Sequence, residues 1–513
     1  MTQSNSKDNQ ETGRTPSLLA SLFVFGVMIG LILLSVILFG NEVAAGPLQI
    51  SMTLASLVAL GVAYWYGHRG ALISNAISQH INSALGTIFI ILAIGVVVAT
   101  LYLAGTVPAF VYYGIAILKP QYFYIVVFIL SSILSILTGS SFTTVGAVGV
   151  AFVGLANLMG VNPAAAAGAA VSGAFLGDKV AQISDTFVLT TAVVGGVSLD
   201  EHRRYVIRTA IPAWVFSAIV FTVLGFVSKP SGEVVEVAIV QEVISQSFNI
   251  SLLAFLPVLL IFLLSSARLS GFLSLMIASI AGVILAGFTQ PDLIASIANE
   301  PNLPYLIAVL KAGVEVFSHG FHLDSGIPQM DELFSGGGTF AMFETIWLIL
   351  VASSFGAIAD YTGMLQRVIE PVIKRARSAS ALVVTSVLTV FGLNVLTADS
   401  YVAIVLTAQM YRGAYKSQKL KPVILSTAIA DGGSIASPII PWNVHGAFIG
   451  GALSMSVLSY APFALLCYLQ PLTTIVMAYF MLRKETLPVD ADADAVYGEE
   501  PDADELPVPQ LSA

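Results

Sequence analysis

Two acids and a lysine stand close together in an otherwise apolar stretch: Asp178, Lys179 and Asp185, within GAAVSGAFLGDKVAQISDTFVLTTAVVGG, residues 168–196. Ser184 and Thr186 flank the second acid. Carboxylates beside hydroxyls can hold a cation or exchange a proton. Burial raises a carboxylate's pKa, a bound cation lowers it, and two acids sharing a site drive one of them toward protonation near neutral pH. On a continuous helix, seven residues put Asp178 and Asp185 on one face, two turns or about 10 Å apart. An unwound link between them would bring both to one cavity. Lys179 adjoins Asp178 and reads as its counter-ion, which leaves Asp185 the better proton and cation ligand.

The elements around these residues must lie in a membrane. The 513 residues are 57% hydrophobic and 10% charged, with a mean hydropathy of +0.89. Residues 120–177 carry no charge. That composition belongs to a polytopic, all-α membrane protein. A charge buried in a bilayer core costs several kcal/mol and usually faces a cavity. The apolar arm before Asp178 holds about a dozen residues where a span needs roughly 20, so the stretch is expected to form a re-entrant hairpin followed by a broken helix.

In chain order, residues 1–16 are expected to be a disordered leader, and residues 17–288 the first half of a transporter domain. Residues 289–338 form a connector with an amphipathic helix around 305–318, and 339–484 the second half. The formal charge of −9 comes from the C-terminus, because nine acids and no Lys or Arg follow Lys484. Residues 485–513 are therefore expected to be a disordered acidic tail, dispensable for transport. One cysteine, Cys467, excludes an intrachain disulfide framework and a multi-cysteine metal site. About 11 to 13 membrane segments are expected. Lys and Arg clusters put residues 200–208, 367–377 and 412–421 on the cytoplasmic side of a bacterial-type inner membrane.

The second half echoes the first at a shift of about 254 residues. LTGSSFTTVGAVGVAFVG falls near LNVLTADSYVAIVLTA, and the stretch 172–196 near STAIADGGSIASPIIPWNVHGAFIG, residues 426–450. Each copy thus holds one broken helix and one re-entrant hairpin. Positive loops in one copy fall on uncharged ones in the other, as inverted topology requires. Ser140, Ser141 and Thr143 mark the first break; Asn394, Thr397 and Asp399 mark the second. The second hairpin carries Asp431, Ser437, Trp442, Asn443 and His445. Asp431 is open to two readings, a hairpin tip in water or a site residue.

These motifs carry a resemblance. AGTVPAFVYYG (104–114), GSSFTTVGAVGVA (139–151), SGAFLGDKVAQISDT (172–186), LTADSYVAIVLTAQMY (396–411) and DGGSIASPIIPWNVHGAFIGG (431–451) resemble NhaC-type sodium/proton antiporters of the broad ion transporter group. The similarity covers roughly residues 84–482. It implies a secondary transporter of two inverted repeats, with substrate bound where they meet, and a homodimer. The family turn GDKMSPLSDT reads GDKVAQISDT here, and His445 stands where relatives carry a small or thiol residue, so the solute stays open.

Three classes of function remain. In a sodium/proton antiporter, Asp178, Ser184, Asp185, Thr186, Ser140, Ser141, Thr143, Asn394, Thr397, Asp399, Asp431, Ser437 and Asn443 would form the ion and substrate site, with sodium between Asp185 and Asp399. In a sodium-coupled carrier of an amino or carboxylic acid, Lys179, Gln182, Trp442 and His445 would recognise the solute. A channel would show rings of like groups, whereas the two copies have unlike centres. No phosphate loop, metal cluster or nucleophile elbow points to an enzyme. The partners are the bilayer, sodium and protons, with no cofactor and no nucleic acid.

Overall fold

A computed structural model describes residues 13–228, 237–300, 302–326, 328–480, 482–488 and 492–498. Among these the chain is helical, and its only β pairings are isolated bridges at Phe321–Gly336 and Leu420–Thr486. Among the described residues, nine helices are long and apolar enough to cross a membrane, or up to twelve if each sharply bent pair counts as one span. The outer surface is apolar, with Leu19, Trp65 and Phe288 at least 80% exposed, as expected of side chains meeting lipid.

Helices α1 (Leu18–Phe39), α2 (Pro47–Trp65) and α3 (Gly70–Leu103) open the fold, followed by α4 (Thr106–Ile117). The first copy proper is α5 (Phe123–Thr138), α6 (Ser141–Thr144), a π-helical turn at Val145–Gly149, α7 (Val150–Leu158), α8 (Pro163–Val180), α9 (Asp185–Val194) and α10 (Leu199–Val227). A linking region follows: α11 (Val237–Ser247), α12 (Leu256–Ser266), α13 (Gly271–Thr289), α14 (Pro291–Ala298), α15 (Tyr305–His319) and α16 (Pro328–Leu333). The amphipathic helix expected in the connector is α15. Then come α17 (Phe343–Tyr361), α18 (Met364–Arg375), α19 (Ala379–Thr397), α20 (Ser400–Ser417), α21 (Pro422–Gly432), α22 (Val444–Ala452), α23 (Val457–Tyr460), α24 (Leu465–Phe480) and α25 (Ala493–Tyr497).

Contacts at the ends of α10 fix the relation of the copies. Near its start, Arg208 lies 3.9 Å and Lys421 2.7 Å from the carboxylate of Glu485, so loops 200–208 and 412–421 share one face. Ser380, at the start of α19, donates to Ala478 O beside that face (3.0 Å). The far end of α10, about 43 Å away by helix rise, meets the start of α5 through Phe226 and Tyr122, rings 5.5 Å apart. The broken helices of the two copies therefore begin at opposite faces.

In the first copy α8 packs along α5. Gly173 and Gly177, four apart, put the α8 backbone directly on α5: a methyl group on Gly177 would stand 2.2 Å from Ser135 O. Ser135 Oγ donates to Gly173 O (3.0 Å) and accepts from Gly177 N–H (3.0 Å). Small residues at this spacing are how helices approach in lipid, where dispersion and hydrogen bonds replace the hydrophobic drive.

Two expectations at the termini are corrected. Residues 1–12 lie outside the described residues, but Arg14 N–H donates to Tyr66 O (2.9 Å), so 13–16 pack on the end of α2. The described part of the acidic tail is docked as well. Tyr497 is fully buried and donates to Leu420 O (2.8 Å), and Arg412 Nη2 donates to Tyr497 O (2.6 Å) and Gly498 O (2.8 Å). Lys416 pairs with Asp494. Composition missed this because one aromatic ring and a few backbone carbonyls, rather than an apolar face, make the contact.

Two outcomes are expected. Gly177→Ala should lower stability by about 1–3 kcal/mol through overpacking, read as a lower melting temperature in detergent; Gly413→Ala, with nothing within 4 Å, serves as control. Tyr497→Ala should speed proteolytic removal of the tail roughly tenfold, since burying such a side chain contributes about 1.5–3 kcal/mol. The hydrogen bond from Lys421 holds Glu485 below the usual carboxylate range. That tie is complete above the ordinary glutamate pKa and is lost as pH falls through the depressed folded value, so acid should also speed the cut. Equal cleavage of wild type and Tyr497→Ala would show the tail is not held this way.

Candidate transport site

The first break ends α5 at Gly139, whose φ of 68° is the left-handed conformation that glycine adopts without strain. Ser140 then caps α6, its hydroxyl accepting from Thr143 N–H (3.2 Å). Because α8 lies directly on α5, Asp178 reaches this new helix start. Its carboxylate accepts from Ser141 N–H (2.9 Å) and Ser141 Oγ (2.5 Å), and it is 6% exposed. An acid at a helix N-terminus satisfies orphan N–H groups and faces the positive end of the dipole.

Helix α8 stops at Val180, and residues 181–184 are non-helical. Gln182 Nε2 donates to Asp200 Oδ1 (2.7 Å), pinning the link to the start of α10. Asp185 opens α9, exposed, its carboxylate in no hydrogen bond or ion pair among the described residues. Thr186 Oγ1 donates to Asp178 O (3.2 Å) and lies 3.2 Å from Ser184 Oγ. A cavity of about 470 Å³ opens here, and Asp178 and Asp185 both line it. So do Ser140, Thr143, Gln182, Ser184, Thr186 and His445. The expected meeting of the two acids at one cavity is present, through the unwound link.

The remaining predicted site residues do not line this cavity. Ser141 is spent on Asp178. In the second copy, Ala398 (φ 60°) ends α19, and Asp399 caps α20, accepting from Tyr401 N–H (2.7 Å) and Val402 N–H (3.4 Å). Thr397 Oγ1 donates to Asp399 O (3.0 Å). Asn394 Nδ2 donates to Gly433 O (2.8 Å), and Asn443 joins Asn394 (3.3 Å) while capping α22 at His445 N–H (3.1 Å). Trp442 Nε1 donates to Val395 O (2.7 Å), and Ser437 Oγ to Ser434 O (2.6 Å). These groups close a second unwound point rather than face the cavity. Asp399 is within electrostatic reach of His80, itself 3.7 Å from Asp360. The expected sodium site between Asp185 and Asp399 is not assembled as a shared wall. Tyr401, which lines the cavity, stands within electrostatic reach of Asp178, Asp185 and Asp399. Among the described residues, no three His, Cys, Asp or Glu gather to hold a metal.

Lys179 is not the counter-ion of Asp178. Neighbours on a helix point about 100° apart, and Lys179 turns away from the cavity to pair with Asp431 of α21, also donating to Thr209 Oγ1 (2.9 Å). Thr474 donates to the other oxygen of Asp431. Both members of the pair have fully buried side chains, so Asp431 is no hairpin tip in water. Lys179 and Trp442, expected to recognise a solute, are thereby committed elsewhere.

His445 lies between the two readings. Its Nδ1 is 3.0 Å from Ser437 Oγ, its ring stacks on Phe142 at 4.8 Å, the residue lines the cavity, and its Nε2 is buried without a hydrogen-bond partner among the described residues. The sequence reading missed Arg268, Ser265 and Ser270, in the turn between α12 and α13, and Tyr401, all of which line the cavity. For Arg268 a signal existed: it is the only charge between Glu242 and Asp292.

Lys179→Met should cost about 3–5 kcal/mol, because it strands a buried carboxylate. Lys179→Met combined with Asp431→Asn should recover much of that in detergent melting curves. Full stability of the single variant would show that the pair does not bind the copies together.

The sequence profile of the Na+/H+ antiporter family matches residues 173–482. The chain is 28% identical over 459 residues to the Na+/H+ antiporter NhaC of Alkalihalophilus pseudofirmus, covering 90% of this chain and 95% of that protein. It is 27% identical to the malate-2H+/Na+-lactate antiporter of Bacillus subtilis, over 91% and 95% of the two chains. It is 28% identical to the arginine/ornithine antiporter ArcD of Halobacterium salinarum, over 91% and 92%. The profile match spans more than half of a helical, multi-pass chain whose two broken copies frame one acid-lined cavity, and the chain belongs to the Na+/H+ antiporter family of secondary transporters.

Proposed function

We propose that this chain exchanges sodium ions for protons across the cell membrane by alternating access, with cation and proton competing at Asp185 and Asp178. The observation that carries this reading is that Asp185, an accessible carboxylate with no partner among the described residues, and the buried carboxylate of Asp178 line one cavity. Two such groups cannot both stay ionised without a cation between or beside them. Sodium entering would displace the proton, and a proton entering would release sodium. Hydroxyls of Ser140, Thr143, Ser184 and Thr186 line the same cavity and offer the oxygen atoms a hard cation takes. Asp178 also holds the start of α6, so its charge state acts on the broken helix as well as on the ion.

A second reading has its own observation. The cavity, at about 470 Å³, falls in the range of small-molecule sites and far exceeds one dehydrated sodium ion. Relatives named for malate and lactate, and for arginine and ornithine, each match 91% of this chain. On this reading an organic solute shares the cavity with the coupling ion.

Sodium-driven proton movement in proteoliposomes is the test. Asp185→Asn keeps shape but cannot titrate, and should bring exchange to background while the protein stays monodisperse. Asp178→Asn should weaken exchange and also lower stability, because the two bonds from Ser141 lose a charged acceptor. If Asp185→Asn exchanges ions with the wild-type pH profile, Asp185 is not the exchange site.

A further inference from the structure

The α12–α13 turn brings a guanidinium to the acid-lined cavity. Arg268 lines that cavity with its side chain exposed and in no hydrogen bond or ion pair among the described residues, while its backbone N–H donates to Ser265 O (3.0 Å). Its backbone holds φ at 65°, a left-handed conformation that non-glycine residues seldom adopt and that tends to persist where a site demands it. Ser270, two residues on, caps α13 through Leu273 N–H (3.4 Å), so the positive end of a 19-residue helix opens beside Arg268.

Three residues that line the same space carry a polar atom without a hydrogen-bond partner among the described residues. Thr143 Oγ1, Ser265 Oγ and His445 Nε2 are buried and have no hydrogen-bond partner, in residues only 1%, 7% and 1% exposed. Buried polar atoms are ordinarily satisfied, and each orphan costs a lost hydrogen bond. Three of them around one cavity call for an occupant richer in polar atoms than a lone cation.

We infer that the cavity takes a small organic carboxylate, its carboxylate held by Arg268 and its remaining polar group met by Ser265, Thr143 and His445. The inference rests on the reading of this cavity as the transport site. A guanidinium offers a carboxylate two parallel hydrogen bonds, which a sodium ion cannot use. Charge arithmetic adds coupling. Asp178 and Asp185 line the cavity together with Arg268, its one guanidinium among the described residues, so one sodium ion balances the empty site, and a carboxylate can enter only with a further cation or proton. Arg268 comes from the α12–α13 turn and the acids from α8 and α9, so the solute would bridge the linking helices and the first copy.

Binding to the purified full-length protein in detergent, with sodium present, is the direct test. The probes are lactate and alanine, each beside its uncharged-carboxyl amide. Wild type should bind at least one acid and discriminate against its amide. Arg268→Gln should weaken that binding about 10- to 100-fold, the range expected for hydrogen bonds to a charged group, and Arg268→Lys should retain part of it. Arg204→Gln, an exposed arginine outside the cavity, should bind as wild type. The inference is overturned if neither acid binds wild type, if acid and amide bind alike, or if Arg268→Gln binds as wild type. It is equally overturned if Arg204→Gln weakens binding as much as Arg268→Gln, since surface charge alone would then explain the effect. Sodium-driven proton movement without solute checks the exchange reading separately, so loss of one result leaves the other standing.

Discussion

An unmade backbone hydrogen bond inside a bilayer has no water to turn to, and it costs several kcal/mol. That constraint shapes both centres of this protein. Each copy breaks a helix in the membrane, at Gly139 and at Ala398, and each break exposes the first N–H groups of a new helix. The polar residues gathered there answer those groups first. Ser140 and Asp178 do so for α6, Asp399 for α20 and Asn443 for α22. Of the acids in the two centres, only Asp185 is left with nothing to cap and no partner among the described residues.

Position follows from packing. The Gly173 and Gly177 pair lets α8 lie on α5, and that contact carries Asp178 to Ser141. One residue further, the helical turn sends Lys179 to the opposite side, into Asp431 of the second copy. Adjacent residues thus divide two tasks: Asp178 faces the cavity, and Lys179 binds the copies together. A buried ion pair is costly to break and not necessarily stabilising against an apolar substitute. Its presence here fits a joint whose register matters more than its net stability.

The copies share a backbone plan and differ in chemistry. In the first, the broken helix and the link 181–184 enclose an accessible cavity with two carboxylates. In the second, the equivalent parts are tied by Asn394, Asn443, Trp442 and Ser437 and lie outside that cavity's wall. His445 and Tyr401 are the second copy's reach into the site. The cavity is therefore asymmetric, with carboxylates from one repeat and a histidine and a tyrosine from the other. The α12–α13 turn, outside both repeats, supplies Arg268, the one Lys or Arg lining the cavity among the described residues.

Much of this was legible in the chain. Membrane residence, helical class, the repeat and its opposite orientation follow from hydropathy and from Lys and Arg placement, because apolar length and loop charge act locally. Asp178 and Asp185 could be singled out because a charge in a long apolar run is costly wherever the run goes. What the chain alone could not separate was a cap from a free carboxylate: Asp399 and Asp185 look alike in sequence, and only the fold shows that one accepts backbone N–H groups while the other has no side-chain partner among the described residues. Nor could it show Lys179 turned to Asp431, 252 positions away, the tail residue Tyr497 buried beside Arg412, or Arg268 delivered to the cavity from a distant turn. Local sequence determines which residues must be in the membrane and that they must be satisfied; which partner satisfies each is decided by helix packing, because that depends on contacts between segments hundreds of residues apart.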